Sequence, residues 1–357
     1  MTSTLLAPLT FRNGRSSRNR VVLAAMTNLQ SHADGTLSDD ELHWLERRAD
    51  GGFGVITSCA SHVSADGQGW SGELGVFDDR HVPGLRVLAD AMHRRGALAL
   101  VQIFHGGLRA DAALTGVRTW SASESAGGPR AATEDDLRRV IADFGEAARR
   151  ARDAGMDGVE IHGAHGYLLT QFLSTVENRR TDAWGGPLEN RARLLREVTR
   201  RVRSAVPDDF LVGVRISPED FGNAKGVDVD ENVEVARWLV ADGIDFLHLS
   251  LGDTHRNSNK HPDRHMVQLF RPAVPANVKL FVAGKIWTAA DGERLLAMGA
   301  DAVALARSAI INPDWPQRIA TSGWEPERPP VSADALRERG LGARFVDYLR
   351  ARPGFIA

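Results

Sequence analysis

A (β/α)8 barrel, the TIM-barrel architecture, built as one domain is the α/β fold this sequence predicts. Three observations carry it. Short, almost wholly apolar runs recur along the chain, beginning near Val21, Val55, Ala97, Gly158, Leu211, Phe246, Lys279 and Ala302. Amphipathic stretches with helical spacing fall between them. Polar residues interrupt the apolar runs at one end only. Strands buried on both faces read this way in parallel sheets, and eight such alternations in about 300 residues suit a closed barrel.

The elements follow in order. The first run leads into Ala24-Ala25-Met26-Thr27, where an open doubly wound sheet would carry G-x-G-x-x-G. Helices are expected over residues 39–50, 83–95, 133–154, 191–206, 230–242 and 288–298. Ser38 and Thr288 stand where N-caps belong. Gly96, Gly155, Gly243 and Gly299 each close a helix just ahead of a strand. Residues 253–263, polar and without periodicity, read as a long loop after the sixth strand. No repeat or linker divides the chain. The barrel is assigned residues 1–320. Residues 321–357 are an extension that packs on the barrel or on a neighbouring subunit, which leaves room for a homo-oligomer.

Composition narrows the class. The chain has 357 residues, 43% hydrophobic and 25% charged, as in soluble globular proteins. Its 44 Lys and Arg nearly balance 46 Asp and Glu, so it lacks the charge footprint of a nucleic-acid or anionic-membrane binder. The single cysteine, Cys59, rules out an intramolecular disulfide and four-cysteine metal or iron–sulfur sites. Residues 1–20 hold no continuous apolar segment, unlike a signal peptide. No apolar run reaches membrane-spanning length. A cytoplasmic enzyme with a small-molecule substrate is expected.

In a barrel, chemistry gathers where strands end. Those ends deliver Ala25-Met26-Thr27, Cys59-Ala60, Gln102 with His105-Gly106-Gly107, His162 with His165-Gly166-Tyr167, Arg215, Ser250, Ala283-Gly284-Lys285 and Ala306-Arg307. Two imidazoles three residues apart can aim N–H groups at one carbonyl oxygen and stabilise charge developing there. Tyr167, an acid with an ordinary pKa of about 10, adds a proton source. That set suits reduction of a double bond conjugated to a carbonyl. Two other readings remain open on the bare residues: a zinc site completed by Glu160, although H-E-x-x-H is absent, and histidines that only cap the strand. Arg215 is either a core charge paired with a carboxylate or a cation facing the barrel mouth. Gly284 and Ala306-Arg307 occupy the late-strand position where barrels hold phosphate. A non-redox barrel binding a phosphorylated ligand fits that last feature alone.

The stretch G-V-E-I-H-G-A-H-G-Y-L-L-T-Q-F-L-S, followed by N-R-R-T-D-A-W-G-G-P-L-E-N-R, together with A-A-M-T at Ala24–Thr27 and V-Q-I-F-H-G-G at Val101–Gly107, resembles the Old Yellow Enzyme family of FMN-dependent ene-reductases. The likeness runs from about Pro8 to about Arg318. It implies that FMN is bound by Ala24, Ala25, Met26, Thr27, Ala60, Gln102, His162, Arg215, Gly284, Lys285, Ala306 and Arg307. Gln102 would face the pyrimidine edge, Arg215 the N1/O2 region, and Gly284, Ala306 and Arg307 the phosphate. His162 and His165 would hold the carbonyl of an enone-type substrate, Tyr167 would donate the proton, and Leu29 would border the pocket. NADPH or NADH would reduce the flavin in the same pocket, giving ping-pong kinetics. A different FMN barrel oxidoreductase, one that dehydrogenates ring substrates, shares most of these features. The sequence departs from the family pattern in three places. Leu29 replaces a substrate-contacting tyrosine, His105-Gly106-Gly107-Leu108-Arg109 displaces the H-A-G-R arginine by one residue, and Ala306 replaces a glycine.

Overall fold

The computed structural model describes residues 3–357; the first two residues of the expected 1–320 barrel lie outside them. Eight strands form the barrel: β1 Val21–Leu23, β2 Val55–His62, β3 Leu98–Phe104, β4 Gly158–Gly163, β5 Leu211–Ile216, β6 Phe246–Ser250, β7 Lys279–Ala283 and β8 Ala302–Leu305. All neighbours are parallel, and β1 bonds to both β8 and β2, which closes the sheet. The helices packed outside are α1 Asp39–Asp50, α2 Val82–Arg94, α3 Glu134–Asp153, α4 Arg193–Ala205, α5 Val229–Ala241, α6 Met266–Phe270, α7 Ala289–Ala297 and α8 Arg307–Ile311.

The continuous apolar runs arise because each strand serves two cores. On β5, Leu211 joins an inner cluster with Val22, Val55, Leu100, Phe246 and Phe281. Val212 and Val214, on the opposite face, join the outer cluster beneath the helices. An N-terminal hairpin, Leu9–Thr10 with Ser16–Ser17, seals the bottom. Its Phe11 packs edge-on against Phe246 and Phe281, centroids 6.4 and 6.2 Å apart. The floor is therefore apolar, and chemistry is confined to the other end.

The expected helix signals act as capping physics requires. Ser38 Oγ accepts from Glu41 N at 3.1 Å, and Thr288 forms a capping box with Asp291. Gly96, Gly155, Gly243 and Gly299 all have positive φ, which is why glycine ends those helices. Two expectations shift. The helix expected over 191–206 starts at Arg193, because Arg191 belongs to a preceding turn and buries its guanidinium against the Leu173 and Gly186 carbonyls. β2 continues past Cys59-Ala60 to His62, with a bulge between Thr57 and Ala60 that the apolar pattern does not register.

Residues 321–357 pack on the barrel of the same chain, through α9 (Ala333–Glu338) and α10 (Ala343–Arg350). Phe345 meets the Trp44 ring edge-on at 5.0 Å. Arg48 is fully buried and lies 3.3 Å over that indole. It donates to the carbonyls of Trp44, Ala309, Ile310 and Arg339 at 3.1, 3.2, 3.0 and 2.7 Å, tying α1, α8 and the tail together. Replacing Arg48 with methionine removes these four side-chain bonds and lowers the unfolding free energy by about 3 kcal/mol. Denaturant unfolding of the holoprotein checks this, and a change under about 0.5 kcal/mol contradicts it.

Candidate active site

Two adjoining cavities open at the C-terminal end of the strands. The larger, about 500 Å³, is walled by Ala25, Met26, Thr27, Ala60, Gln102, His162, His165, Tyr167 and Arg215, among others. The smaller, about 310 Å³, is walled by Gly284, Lys285 and Ser308, among others. Arg215, Ala306 and Arg307 border both.

His162 lies on β4 in register with Arg215 on β5. Beyond Gly163 the chain turns back sharply. His165 takes a left-handed φ of 61°, an uncommon conformation for a non-glycine residue. It is held there by bonds at both ends: His165 N donates to Ser217 Oγ at 3.0 Å, and Arg109 Nη1 donates to His165 O at 2.7 Å. Gly166 follows with φ 73° against the Asn223 carbonyl, where a side chain has no room. This turn brings the rings together: His162 stands 4.9 Å from His165 and 5.3 Å from Tyr167, centroid to centroid. Phe104 packs edge-on against Tyr167 at 5.1 Å, and the Arg109 guanidinium lies 4.4 Å over the Tyr167 ring.

Burial, reinforced by the positive charges of Arg215 and Arg109, holds both imidazoles well below the usual histidine range. Burial also raises the Tyr167 phenol, against the opposing pull of Arg109. The cluster is therefore two neutral imidazoles and a neutral phenol near pH 7. Two pH results follow. Affinity for a non-ionising carbonyl ligand such as 4-methoxybenzaldehyde stays flat from pH 6 to 8; a titration near 6.5, the ordinary histidine value, contradicts neutrality. Stability responds differently. Below about 6.5 the unfolded chain takes up protons that the native histidines refuse, so unfolding free energy falls on acidification and is constant above that pH.

A polar layer lies under the cluster. Glu160 accepts from Gln102 Nε2 at 2.6 Å and pairs with His248 Nδ1 at 2.6 Å. Burial opposes its ionisation, but His248, Arg215 and the Gln102 bond outweigh that and hold the carboxyl below its ordinary value. His248, itself pushed down by burial, serves as a neutral Nδ1–H donor. Glu160 thus faces Gln102 and His248 and is committed away from the histidine pair. This removes the third ligand of the zinc reading. Among the described residues no group of three or more His, Cys, Asp or Glu side chains is placed to hold a metal ion. Arg215 donates to Ala25 O at 3.3 Å and to Ser250 Oγ at 3.0 Å, while its Nε has no partner among the described residues.

Over residues 4–323 the chain matches the model of the NADH:flavin oxidoreductase / NADH oxidase family. The chain belongs to that family. It is 36% identical over 332 residues to the probable NADH-dependent flavin oxidoreductase YqiG of Bacillus subtilis, covering 88% of this chain and 87% of that one. It is also 36% identical to the NADH:fumarate oxidoreductase of Klebsiella pneumoniae, over 88% of this chain but 36% of that longer protein. Among solved structures it superposes on the old yellow enzyme homologue from Zymomonas mobilis with a TM-score of 0.83 and 26% identity, covering 97% of this chain and 99% of that one. It is an FMN-dependent NAD(P)H oxidoreductase of the Old Yellow Enzyme family.

The residues present fit FMN. The larger cavity joins apolar walls to hydrogen-bonding groups at one edge, and the buried Arg215 Nε awaits an acceptor. In the smaller one Ser308 Oγ is also buried without a partner among the described residues. Gly284 has φ 144° and lies against the Leu251 carbonyl, where a Cβ would collide, so this cradle requires glycine. Ala306 has φ −119°, so a methyl group replaces the family's glycine without left-handed strain.

Not every expected residue of this flavoenzyme reaches a cavity wall. Ala24 is buried in the inner core, its N–H donating to Leu305 O at 2.9 Å. Leu29 walls neither cavity; its φ of 59° turns the chain there, with its carbonyl against Gly72, and Trp70 stands on the wall instead. Lys285 reaches the smaller cavity, but its Nζ pairs with Asp253 Oδ2 at 2.8 Å. His105 pairs with Asp66 at 3.3 Å, away from the site. The displaced Arg109 supports both His165 and Tyr167. Sequence reading missed Trp70 and the tail residues Phe345, Tyr348 and Arg352, which close the larger cavity. The one available signal was that Tyr348 is one of only two tyrosines.

Proposed function

We propose that this protein is an ene-reductase, reducing the carbon–carbon double bond of α,β-unsaturated carbonyl compounds with NAD(P)H. The observation that carries the reading is the set of three neutral donors, His162, His165 and Tyr167, on the wall of the cavity that Arg215 and Gln102 also border. A bound FMN supplies two-electron chemistry, accepting hydride from NAD(P)H and delivering it to the β-carbon of the alkene. FMN would be held by Ala25, Met26, Thr27, Ala60, Gln102 and Arg215 around its ring and by Gly284, Ala306 and Arg307 at its phosphate.

His162 and His165 donate to the substrate carbonyl oxygen, drawing electron density off the β-carbon and stabilising the enolate-like charge that develops. Being neutral, they polarise the carbonyl without giving up a proton. Tyr167 then delivers its phenolic proton to the α-carbon, and the raised pKa keeps that proton in place until carbanion character appears. Arg215 would hold the FMN ring edge and would stabilise negative charge there through its buried guanidinium. The nicotinamide and the alkene use the same cavity in turn. A cytoplasmic setting belongs to the same reading; among the described residues no helix is long and apolar enough to cross a membrane.

Anaerobic steady-state assays with NAD(P)H and 2-cyclohexenone test the proposal. Cyclohexanone forms in equal amount to the NAD(P)H consumed, and double-reciprocal plots give parallel lines. NAD(P)H oxidation by oxygen without cyclohexanone formation would overturn it.

A further inference from the structure

We propose that Ser250 sets the tautomer of His165, holding its Nδ1–H toward the cavity through a hydrogen-bond relay that starts at Arg215. The relay rests on three atoms. Arg215 Nη2 lies 3.0 Å from Ser250 Oγ, and Ser250 Oγ lies 2.7 Å from His165 Nε2. A guanidinium can only donate, so Oγ accepts from Arg215. Among the described residues the other partner of this hydroxyl is His165 Nε2. The hydroxyl proton therefore goes to Nε2, which must be a bare acceptor. A neutral imidazole with a bare Nε2 carries its proton on Nδ1.

The opposite tautomer satisfies fewer groups. If Nε2–H donated to Ser250 Oγ, the hydroxyl proton would have no acceptor among the described residues, Ser250 being 6% exposed and bordering the smaller cavity. His165 would also turn a lone pair, instead of an N–H, toward the cavity. An unmade bond of that kind disfavours this tautomer by about tenfold or more. His162 gives the complementary half of the clamp. Its Nδ1 is enclosed and has no partner, leaving Nε2 as the nitrogen open to the cavity. The two histidines thus offer different nitrogens, Nε2 of His162 and Nδ1 of His165, and the short spacing of H-x-x-H brings them to one oxygen. Ser250 touches neither substrate nor reacting atoms in this scheme. It is a positioning residue, and its significance rests on the reading of His162 and His165 as carbonyl donors.

The test combines a tautomer readout with a binding readout on the holoenzyme. Histidine labelled with 15N distinguishes protonated from bare ring nitrogens in long-range 1H–15N spectra. Wild type shows His165 as the Nδ1–H form. Ser250→Ala brings up the Nε2–H form and weakens binding of 4-hydroxybenzaldehyde about tenfold, the worth of one hydrogen bond. Ser250→Thr keeps the hydroxyl and restores both. Wild-type His165 found as Nε2–H, or a tautomer unchanged by Ser250→Ala in a variant that retains FMN, would overturn the relay. A tautomer that shifts while aldehyde affinity does not would sustain the relay and overturn the carbonyl-clamp reading beneath it.

Discussion

Tyr167→Phe slows reoxidation of the NAD(P)H-reduced enzyme by 2-cyclohexenone by about 10²–10⁴-fold, the usual worth of a positioned general acid. It leaves reduction by NAD(P)H within about twofold, because that half-reaction needs no proton from this residue. The asymmetry follows from the geometry. Tyr167 is packed between Phe104 and Arg109, 5.3 Å from His162 by ring centroids. Removing one oxygen changes neither the wall nor the histidine pair. A substrate whose α-carbanion is stable without protonation, such as a nitroalkene, loses much less. Stopped-flow measurement of each half-reaction separates these effects. Equal loss in both halves contradicts the proton-donor role.

Arg215→Met is expected to yield protein with little bound FMN and markedly lower stability. Two losses combine. The charged donor that would face the cofactor is gone, which weakens FMN binding roughly 10–100-fold at the usual worth of a charge-assisted hydrogen bond. Glu160 also loses one of the positive charges that favour its ionised form, keeping only its Gln102 and His248 bonds, which lowers stability. The pH dependence has a definite sign. In the wild type Glu160 is held below its ordinary value, so its contribution is full above about pH 4.3 and is lost as pH falls through the folded pKa. In the variant the His248 and Gln102 bonds remain but the Arg215 charge no longer opposes desolvation, so the carboxyl titrates upward. The stability gap between the two proteins is therefore widest near neutrality and narrows on acidification. Glu160→Gln added to Arg215→Met removes the stranded charge and recovers part of the stability, without recovering FMN affinity. Thermal unfolding of the apoproteins from pH 5 to 8 and FMN titration of each check these statements. A variant as stable as wild type with full FMN occupancy contradicts them.

The barrel was legible because parallel strands buried on both faces leave an unbroken apolar signature, and because glycine at positive φ marks where α2, α3, α5 and α7 stop. The histidine pair and Tyr167 were legible because strand β4 ends in polar residues that an apolar core would not tolerate. What stayed hidden depends on contacts distant in the chain. Nothing in the periodicity of α10 says that Phe345 docks on Trp44, some 300 residues earlier, so the tail's place on the cavity wall was unreadable. Leu29 was expected on the wall by position alone, and one left-handed residue removed it. Arg109 shows the reverse. Displaced by one residue from the family pattern, it sits at the end of a tight turn, Gly107–Arg109, that carries its guanidinium onto Tyr167 and the His165 carbonyl.

The central claim is that electrons entering from NAD(P)H leave to a conjugated alkene held beside Tyr167. The direct measurement is a single turnover under anaerobic conditions: the holoenzyme is reduced with one equivalent of NAD(P)H, mixed with 2-cyclohexenone, and followed by flavin absorbance with product analysis. Full recovery of the oxidised spectrum with one cyclohexanone formed per active site is the predicted result. An enzyme that stays reduced in the presence of saturating cyclohexenone and other enones, yet reoxidises on admission of oxygen, would contradict it.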